Sequence, residues 1–381
     1  MHNLQLQFEN ECCPIWIGTR CVDEIVVRLR DFKASSYHLI TDRTVARLYG
    51  DALFDRLAAK VPARLWIVEE GESTKSMATV EHLAQEMVCA GIDRSGLIVA
   101  VGGGVIGNLA GLTAALLFRG IPLVHVPTTL IAAADSVASL KQAVNLPQGK
   151  NLLGSFHKPT AALVDISFLQ TLPASQIRSG MYEIIKNAVT VATENIPLLE
   201  SGLNSNARYS DAELMLIVQA GLLAKQKVMI VDKCERKQAL VFEYGHTVGH
   251  AIELAANGRV PHGEAVGLGM IVAAEVAGRL GLLREADVEL HYRLLKRNGL
   301  AVRLPAGVTV GAVMSLLRTD NKRGYVSAGS DQVAMILLKG LGIPGGPIDR
   351  PLTLVQSSLV QSCIEACLAE VANVAVEEAK L

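Results

Sequence analysis

The sequence predicts two parts of different fold class, an α/β domain with a parallel sheet followed by an all-α domain. Apolar runs of strand length alternate with helical segments through the first half of the chain, which is typical of parallel strands joined by crossover helices. From Leu169 onward helical periodicity dominates until an apolar run at 333–338. We place the boundary near Leu172-Pro173, which gives domains of residues 1–172 and 173–381, with a final helix predicted after Val371.

Length and composition limit the classes of function. The 36 Lys and Arg residues nearly balance the 37 Asp and Glu residues, so no global basic field favours nucleic acid or an acidic membrane surface. The longest apolar run, 109–118, is too short to cross a bilayer. The segment 1–13 lacks the basic and apolar regions of a signal peptide. Seven cysteines without CxxC metal spacing suit a reducing compartment, and we expect a cytoplasmic protein.

Four apolar runs are predicted to be strands of the sheet: 37–41, 65–68, 97–101 and 123–126. Asp42 directly follows the first of them. An acidic group at the carboxyl end of a strand often holds a ribose, and it is equally often the N-cap of a helix. After the second run, the polar loop 71–76 precedes a helix predicted over 80–90.

The third predicted strand runs directly into Gly102-Gly103-Gly104-Val105-Ile106-Gly107, and a helix is predicted to follow. Glycines in such a turn let backbone N–H groups approach a phosphate at the helix N-terminus, where the helix dipole favours an anion. The same pattern is also found in a tight turn without a ligand. The chain lacks the ordinary Rossmann fingerprint near its N-terminus, which argues against a standard dehydrogenase.

Hydroxyl and basic side chains follow the glycine-rich turn. Thr128-Thr129 end the fourth predicted strand, and Asp135-Ser136 come after an Ala-rich turn. The next segment is basic, with Lys141, Lys150-Asn151 and His157-Lys158. These cations are able to bind a phosphate through charge-assisted hydrogen bonds, although charge alone equally predicts a solvated face.

The stretch 240–263 concentrates ionisable side chains within an apolar helical pattern. Glu243, His246, His250 and Glu253 fall within roughly 80° of one another at 100° per residue, so we expect one polar stripe on a single helix. Two histidines four residues apart can ligate one metal, and His262 offers a third imidazole. An isolated pair of this kind more often packs or caps, and the additional polar groups weaken that interpretation.

Glu183 and Lys186 lie three apart in a predicted helix after Pro173 and therefore share a face. On a surface they would form an ordinary ion pair. In a buried site they would be a metal carboxylate beside a catalytic amine.

Seven motifs between residues 102 and 270 carry a resemblance to a known family. They are GGGVIGNLAG, FRGIPLVHVPTTL, DSVASLK, QGKN, TLPASQIRSGMYEIIKNA, EYGHTVGHAIE and HGEAVGLGM. Together they make the chain similar to the sugar phosphate cyclases of the dehydroquinate synthase superfamily. This resemblance implies an NAD-binding α/β domain, a helical metal-binding domain, an active site between them, and a divalent metal, cobalt or zinc.

The resemblance also implies roles for individual residues. The metal ligands would be Glu183, His246 and His262. The catalytic groups would be Lys141, Lys186, Glu243 and His250, the last of which would handle protons. Cofactor contacts would come from Asp42, Glu72, Lys75, Gly103, Gly104, Val105, Thr128, Thr129, Asp135 and Ser136. Substrate and phosphate contacts would come from Lys150, Asn151, Lys225 and Lys322. Arg119 matches an arginine that reaches into the neighbouring subunit's site, which implies a homodimer.

Four departures from the dehydroquinate synthase pattern bear on the substrate. Glu243 replaces an asparagine, Ala239 replaces an arginine associated with the substrate carboxylate, segment 139–143 replaces GGKTG, and Asn108 replaces an aspartate. Loss of that arginine suggests a substrate without a carboxylate. The valiolone-type cyclases also take such substrates, but they typically lose the second histidine of the pair, whereas His250 is present.

The resemblance therefore favours a cyclase that takes glucose 6-phosphate in aminoglycoside biosynthesis. Its reaction would combine transient oxidation by NAD at C4, phosphate elimination, re-reduction and an intramolecular aldol closure. Within that reaction, we expect Glu243 to orient the substrate or relay a proton, and Lys141 with Lys150 to stabilise the departing phosphate. Three alternatives stay open: dehydroquinate synthase itself, a metal-dependent polyol dehydrogenase of the glycerol dehydrogenase type, and a catalytically silent binding protein.

Overall fold

The computed structural model of the chain describes residues 1–317 and 325–368. Two predictions, the role of Lys322 and the helix after Val371, lie outside these residues. The chain divides into two compact units. The first contains residues 1–180 and 209–234, and the second contains 181–208 and the described residues from 235 onward. Because each compact unit contains two separate segments of the chain, no single boundary divides them. The domain boundary placed near Leu172-Pro173 stays a prediction.

The first unit is built on a seven-stranded sheet. The strands before residue 170 are β1 (His2–Phe8), β2 (Glu11–Gly18), β3 (Tyr37–Asp42), β4 (Ala63–Val68), β5 (Leu97–Gly102), β6 (Leu123–Pro127), β7 (Lys141–Leu146), β8 (Gly149–Phe156) and β9 (Ala161–Asp165). Seven of them form one sheet in the order β1-β2-β9-β6-β5-β3-β4. All neighbours in it are parallel except β1 and β2, which pair as an antiparallel hairpin. The four predicted strands are confirmed as β3 to β6.

Helices connect these strands. Up to residue 234 they are α1 (Val22–Asp31), α2 (Arg43–Val45), α3 (Asp51–Ala58), α4 (Met77–Cys89), α5 (Gly104–Leu116), α6 (Leu130–Ala134), α7 (Ala174–Thr190), α8 (Ile196–Gly202) and α9 (Asp211–Met229). A π-helical turn covers Ala46–Gly50. Short 3₁₀ helices cover Glu72–Thr74, Leu117–Arg119, Ser136–Ala138, Ile166–Thr171 and Thr193–Asn195. The division between the two units falls within α7, and α8 belongs to the second unit.

Helices cover both faces of the sheet, and its central strands are accordingly continuous apolar runs. In β5, Ile98 and Ala100 pack with the apolar residues of α4 and α5 on one face. Leu97, Val99 and Val101 alternate with them and pack with α1 and α3 on the other face. The first unit is therefore a three-layer α/β/α sandwich, and its glycine-rich turn leaves the carboxyl end of a fully buried strand.

The sequence analysis did not predict β7 and β8. They form an antiparallel hairpin apart from the main sheet, over the segment we interpreted only as basic. Gln142 of β7 is buried against α5, where Gly111 makes room for its side-chain amide. The outer strand β8 is mostly exposed, including Leu152, Leu153 and Phe156. An exposed strand with both polar and apolar residues has no alternating pattern, which is why this strand escaped the prediction.

Helix α9 returns late in the sequence to complete the first unit. It begins with a capping box between Ser210 and Glu213 and packs on α6 and β1. Beyond its end, the Lys233 Nζ atom lies 3.0 Å from a carboxylate oxygen of Glu11 and 3.5 Å from one of Glu9. The N-terminal hairpin is thus held by a segment more than two hundred residues away in sequence.

The described part of the second unit is mostly helical, as predicted. Its helices after residue 234 are α10 (His246–Ala255), α11 (His262–Arg279), α12 (Glu285–Arg297), α13 (Val310–Leu317) and α14 (Ser357–Leu368), with a 3₁₀ helix at Gln238–Glu243. Two small antiparallel pairs join β10 (Gln332–Met335) to β13 (Thr353–Gln356) and β11 (Leu338–Gly340) to β12 (Ile343–Pro344). Within residues 1–317 and 325–368, none of the helices combines the length and apolar character needed to span a bilayer.

One expectation about the second unit is wrong. Glu243 and His246 do not lie on one continuous helix, because the 3₁₀ helix ends at Glu243 and α10 begins only at His246. Gly245 between them has the left-handed φ of +78° and lies against the backbone of Val266 and Met270. The chain therefore turns sharply just before the first histidine.

Candidate active site

Two helices of the second unit approach each other closely and bring their histidines together. A Cβ atom on Gly269 of α11 would lie 1.9 Å from the Gly245 carbonyl oxygen, and one on Gly249 of α10 would lie 2.9 Å from the Val266 Cα atom. Backbones at this separation exclude any side chain larger than hydrogen. His246 opens α10 and His262 opens α11, so the glycines place both imidazoles at the same end of the helix pair.

The three predicted histidines form a cluster. One nitrogen of each of His246, His250 and His262 lies within 4.8 Å of the others, a separation that allows them to share one cation. The ring centroids of His246 and His262 are 5.4 Å apart, and the ring of His250 stands edge-on to His246 at 5.1 Å. The sequence spacing thus correctly predicted that these side chains converge.

Glu183 of α7 joins two of these histidines. Its Oε1 atom lies 3.5 Å from His246 Nε2 and 3.7 Å from His262 Nε2, while its Oε2 atom accepts a hydrogen bond from Lys186. Glu183 and Lys186 are 3% and 2% exposed, so the interpretation of this pair as a surface ion pair is wrong. The Lys186 ammonium group also lies 5.6 Å from the centre of the Phe242 ring.

The hydrogen bonds of two imidazoles define which nitrogens face the carboxylate. His246 Nδ1 donates to the Tyr244 carbonyl oxygen at 3.1 Å, and His262 Nδ1 donates to Glu253 Oε2 at 3.0 Å, since both partners are acceptors. In a neutral imidazole the remaining lone pair is then on Nε2. Two such lone pairs and a carboxylate oxygen repel one another unless a cation is shared among them. This donor set fits a divalent metal such as zinc or cobalt.

Burial and neighbouring charges move the pKa values of these two histidines in opposite directions. Burial holds the pKa of His246 well below its ordinary value, and the Lys186 cation lowers it further, so that imidazole stays neutral. Burial also opposes protonation of His262. However, the hydrogen bond to Glu253 and the negative charges of Glu183 and Glu253 outweigh burial and raise the pKa of His262.

Two of the four departures from the dehydroquinate synthase pattern, Ala239 and Glu243, lie in the 3₁₀ helix that precedes α10. Glu243 ends this helix, and its negative charge acts on the pKa of His246, which places its carboxylate near the histidine cluster. Ala239, which stands where the family pattern has arginine, is 1% exposed. A buried alanine supplies no cation for a substrate carboxylate.

In the first unit, the glycine-rich turn has the geometry of an anion site. Gly103 is the N-cap of α5 in an extended conformation, and Gly104 is the first helical residue. Among the described residues, no atom would lie within 4 Å of a Cβ atom on Gly104, whereas one on Gly103 would lie 2.9 Å from Thr129 Cγ2. The N-terminal N–H groups of α5, including that of Val105, therefore border open space at the carboxyl end of β5.

The two threonines after β6 support this turn. Thr128 is 3% exposed, and its backbone N–H donates to the Gly102 carbonyl oxygen at 3.0 Å. Thr129 is the N-cap of α6, with its hydroxyl accepting from the Ala132 N–H at 3.3 Å. The fold thus gives both threonines a structural role beside the glycine-rich turn, and their predicted cofactor contacts stay predictions.

Asn145 of β7 connects three predicted site residues, and the sequence analysis missed it. Its side-chain amide donates to Glu72 Oε1 at 2.8 Å and accepts from the Asn151 N–H at 2.9 Å. Its backbone N–H donates to the Lys75 carbonyl oxygen at 2.9 Å, and the Lys75 ammonium group donates to Asn151 Oδ1. Asn145 lies between the DSVASLK and QGKN motifs, and only the pairing of the hairpin reveals its partners.

Lys75 is buried beside this network. Burial lowers its pKa, the positive charge of Lys150 lowers it further, and Glu72 acts in the opposite direction. The three side chains thus lie within electrostatic range of one another, which brings the predicted cofactor residues Glu72 and Lys75 near the predicted phosphate residue Lys150.

Asn108, one of the four departures, has a structural explanation. Its amide nitrogen donates to the Gly104 carbonyl oxygen at 2.8 Å, and its amide oxygen accepts from the Ala143 N–H at 2.8 Å. An ionised aspartate has no donor for the first of these bonds. Asn108 therefore joins the glycine-rich turn to the hairpin through both functions of its amide.

The structure gives Asp42 and Asp135 clear local partners. Asp42 is the N-cap of α2 and accepts from the Val45 N–H at 2.9 Å, so the capping role is present. Asp135 precedes Ser136 and the 3₁₀ helix at Ser136–Ala138, and its carboxylate lies 3.4 Å from the Lys225 ammonium group. Lys225 is 4% exposed on α9, which makes this a buried ion pair.

The two remaining cations lie at the ends of elements. Lys141 is the exposed first residue of β7, and its N–H donates to the Ser139 hydroxyl. Arg119 ends a 3₁₀ turn in which Phe118, Arg119 and Gly120 all have positive φ. The predicted roles of Lys141 and Arg119 stay predictions.

A second contact that the sequence analysis missed lies behind His246. Tyr244 and His291 are fully buried, and the Tyr244 hydroxyl lies 3.0 Å from His291 Nε2. His291 Nδ1 donates to the Asp287 carbonyl oxygen at 2.7 Å, so Nε2 is the acceptor for the tyrosine hydroxyl. This pair holds the tyrosine whose carbonyl oxygen orients His246. The partner comes from helix α12, more than forty residues downstream of Tyr244.

The fold and the two sites define a class of protein. Family models described as 3-dehydroquinate synthase N-terminal and 3-dehydroquinate synthase C-terminal match residues 65–179 and 180–323. The chain therefore belongs to the dehydroquinate synthase family, and the resemblance inferred from its motifs is confirmed.

Similar proteins in this family have a more particular identity. The chain is 48% identical to 2-deoxy-scyllo-inosose synthase of Streptomyces kanamyceticus over 353 residues, which cover 92% of this chain and 90% of that relative. A crystal structure of 2-deoxy-scyllo-inosose synthase complexed with carbaglucose-6-phosphate, NAD+ and Co2+ superimposes with a TM-score of 0.91 at 37% identity, covering 96% of this chain and all of the other.

A third similar protein is the 2-epi-5-epi-valiolone synthase ValA from Streptomyces hygroscopicus subsp. jinggangensis 5008, with NAD+ and Zn2+ bound. It matches with a TM-score of 0.81 at 27% identity, covering 94% of this chain and 97% of the other. The predicted fold class is thus confirmed, and the two solved structures contain NAD+ with Co2+ or Zn2+, the cofactor and metals that the motifs led us to expect.

Proposed function

We propose that this chain is a sugar phosphate cyclase that converts D-glucose 6-phosphate to 2-deoxy-scyllo-inosose with release of phosphate, as a carbon–oxygen lyase of aminoglycoside biosynthesis. The observation that carries the proposal is the similarity along nearly the whole chain to a 2-deoxy-scyllo-inosose synthase bound to carbaglucose-6-phosphate. The atoms of glucose 6-phosphate equal those of the ketone and phosphoric acid together, so the reaction has no net oxidation.

Glu183, His246 and His262 would hold the divalent metal, with His250 beside them as a proton-handling group. The convergence of two Nε2 atoms on one oxygen of Glu183 supports this assignment. Lys186, which donates to the other oxygen of Glu183, holds that carboxylate in place and adds a cation. Its proposed second role is that of a catalytic amine.

NAD would lie at the N-terminus of α5, with its phosphates against the open space at Gly104. Gly103, Val105, Thr128 and Thr129 would contribute backbone or hydroxyl contacts there. The remaining proposed cofactor contacts are Asp42, Glu72, Lys75, Asp135 and Ser136. When bound, NAD supplies a transient oxidation at C4 of the sugar, and the metal supplies Lewis-acid polarisation of the oxygen at that carbon.

The chain's own side chains would perform the remaining tasks. Glu243 would orient the sugar or relay a proton, because its carboxylate lies near His246. Lys141 and Lys150 would stabilise the departing phosphate, with Asn151, Lys225 and Lys322 as further substrate contacts. Ala239 leaves the 3₁₀ helix without the cation that a carboxylate substrate would need, which supports a sugar phosphate without that group.

We also propose a cytoplasmic homodimer in which Arg119 reaches the partner's site. All seven cysteines are described, and all are free thiols, as expected in a reducing compartment. Leu152, Leu153 and Phe156 on the outer strand β8 are 50%, 41% and 40% exposed, and Leu116 before Arg119 is 51% exposed. Apolar surface of this kind supports burial against a second copy.

The test of the proposed function is a phosphate-release assay. The protein, NAD and cobalt are incubated with glucose 6-phosphate or, in parallel, with the heptulosonate phosphate of the dehydroquinate synthase reaction. We expect inorganic phosphate from glucose 6-phosphate alone, in equal amount to a carbocyclic ketone and without net NADH. Phosphate from the heptulosonate alone would identify a dehydroquinate synthase instead. Net NADH without phosphate release would identify a polyol dehydrogenase.

A further inference from the structure

Glu253 belongs to the polar stripe recognised in the sequence, but the proposed function does not use it. Its side chain is on α10, it is 7% exposed, and its Oε2 atom lies 3.0 Å from Nδ1 of His262 at the start of α11. We propose that Glu253 is a positioning residue that orients His262 and strengthens it as a metal ligand. This inference rests on the proposed metal site.

The direction of the hydrogen bond supports this role. An ionised carboxylate only accepts hydrogen bonds, so the proton is on Nδ1 of His262 and the lone pair of the neutral ring is on Nε2. That Nε2 atom is the one that faces Oε1 of Glu183, at 3.7 Å. Glu253 therefore selects the tautomer and the ring orientation that a shared cation needs.

The other proposed histidine ligand is oriented in a different way. His246 donates to a backbone carbonyl, that of Tyr244, and its side chain is only 10% exposed. The side chain of His262 is 35% exposed, so packing restrains it less. A charged acceptor binds an N–H group more strongly than a carbonyl oxygen does and makes the imidazole a better electron donor. His262, the more exposed of the two histidines, thus has the stronger hydrogen-bond acceptor.

The position of Glu253 also depends on the close approach of α10 and α11. Glu253 lies seven residues after His246, two helical turns along α10, and the chain returns through Pro261 to place His262 opposite it. Glu253 is thus the residue of α10 that orients the imidazole of His262, the first residue of α11. If this role is correct, loss of the carboxylate weakens metal binding and leaves the first unit unaffected.

The experiment measures the Kd for Co2+ by visible absorption during titration of the metal-free protein. Glu253→Gln keeps the shape of the side chain and removes its charge, and Glu253→Asp keeps the charge on a shorter side chain. Glu289→Gln is the control, since Glu289 is exposed on α12. We expect Glu253→Gln to raise the Kd for Co2+ by about 10- to 100-fold, Glu253→Asp to have a smaller effect, and the control to match the wild type. The Kd for NAD should stay unchanged in all of them.

A Kd for Co2+ within twofold of the wild type in folded Glu253→Gln would overturn the proposal. If circular dichroism shows that Glu253→Gln is unfolded, Glu253→Asp decides: an unchanged Kd for Co2+ in that variant would also overturn it. His246→Ala separates this result from a failure of the proposed metal site. If His246→Ala binds Co2+ as the wild type does, the metal site is wrong; if it loses Co2+ and Glu253→Gln does not, only the role of Glu253 is wrong.

Discussion

The carbonyl oxygen of Gly245 lies 1.9 Å from the position that a Cβ atom on Gly269 would occupy. The two residues belong to the EYGH and GLGM motifs, which are separated by more than twenty residues. Their contact lets α10 and α11 meet backbone against backbone. Since His246 and His262 open these helices, the histidine cluster depends on the absence of two side chains as much as on the presence of three imidazoles.

We therefore expect Gly269→Ala to lower the free energy of unfolding by about 3 kcal/mol or more, because a methyl group at this position must displace backbone atoms. Urea unfolding measures the loss of stability, and Co2+ titration measures the accompanying loss of metal affinity. Gly278→Ala on the same helix is the control, since the nearest described atom to its Cβ would be a Val288 methyl group at 3.2 Å. Equal stability of the two variants would contradict the close helix contact.

Gly104→Ala tests the anion site at the start of α5. The new methyl group would meet no atom of residues 1–317 and 325–368 within 4 Å, so we expect an unchanged melting temperature. The same group would enter the space assigned to the NAD phosphates, and we expect the Kd for NAD to rise about tenfold or more, a loss of roughly 1.4 kcal/mol.

Gly311→Ala is the matched control for this change. Gly311 is near the N-terminus of α13, where a Cβ atom also meets no atom of the described part of the chain within 4 Å. Isothermal titration with NAD should therefore give the wild-type affinity for this variant. Wild-type NAD affinity in Gly104→Ala as well would show that the cofactor does not use this turn.

Glu243→Gln tests the group that departs from the family pattern next to the histidine cluster. We expect kcat for phosphate release from glucose 6-phosphate to fall by about 100-fold or more, because a neutral amide does not relay a proton. The Kd for Co2+ should change little, since Glu243 is not among the proposed ligands. Glu285→Gln, at an exposed position of α12, is the control. Unchanged turnover in Glu243→Gln would rule out the proposed role.

Stability should depend on pH through the buried His38. Its Nδ1 accepts from Trp66 Nε1 at 3.2 Å, and its Nε2 lies 3.1 Å from the Ser36 hydroxyl. Burial, with a smaller effect of the Arg64 charge, lowers the pKa of His38 to about 4. The unfolded chain therefore binds a proton that the folded chain does not. Stability is lost as the pH falls from the unfolded pKa of about 6.5 toward the folded value.

At about pH 5 this one histidine should lower the free energy of unfolding by about 2 kcal/mol relative to neutral pH. His38→Gln should remove that part of the pH dependence, measured by urea unfolding at both pH values. His82→Gln, at an exposed position of α4, should retain the full wild-type dependence. The same pH dependence in all three proteins would mean that His38 is protonated in the folded state.

Sequence reasoning succeeded where the pattern is local. Strand β5, the glycine-rich turn and α5 follow one another directly. The apolar run of the strand, the glycines of the turn and the periodicity of the helix could therefore be recognised together. The HxxxH pair likewise converges because four residues make about one helical turn. Glu183 joined the cluster through the family's motif order, since nothing in its own neighbourhood distinguishes it from a surface carboxylate.

Other features depend on contacts between distant residues and were missed or wrong. The turn at Gly245 exists because α11 presses against it, and a helical pattern alone continues through that position. Asn145 finds Glu72 and Asn151 only after β7 and β8 pair. His291 finds the Tyr244 hydroxyl from a helix that the motifs do not include. Each of these contacts is specified by tertiary packing, which no window of sequence contains.

The return of residues 209–234 to the first unit has a consequence for synthesis of the chain. The nascent N-terminal hairpin leaves the ribosome long before α9 and Lys233, the partners that cover and pair with it. At translation rates of roughly 5–20 residues per second, that interval lasts on the order of ten seconds or more. During this time β1, the edge strand of the sheet, lacks its contacts with α9 and Lys233, and an unprotected edge strand is prone to pair with other chains.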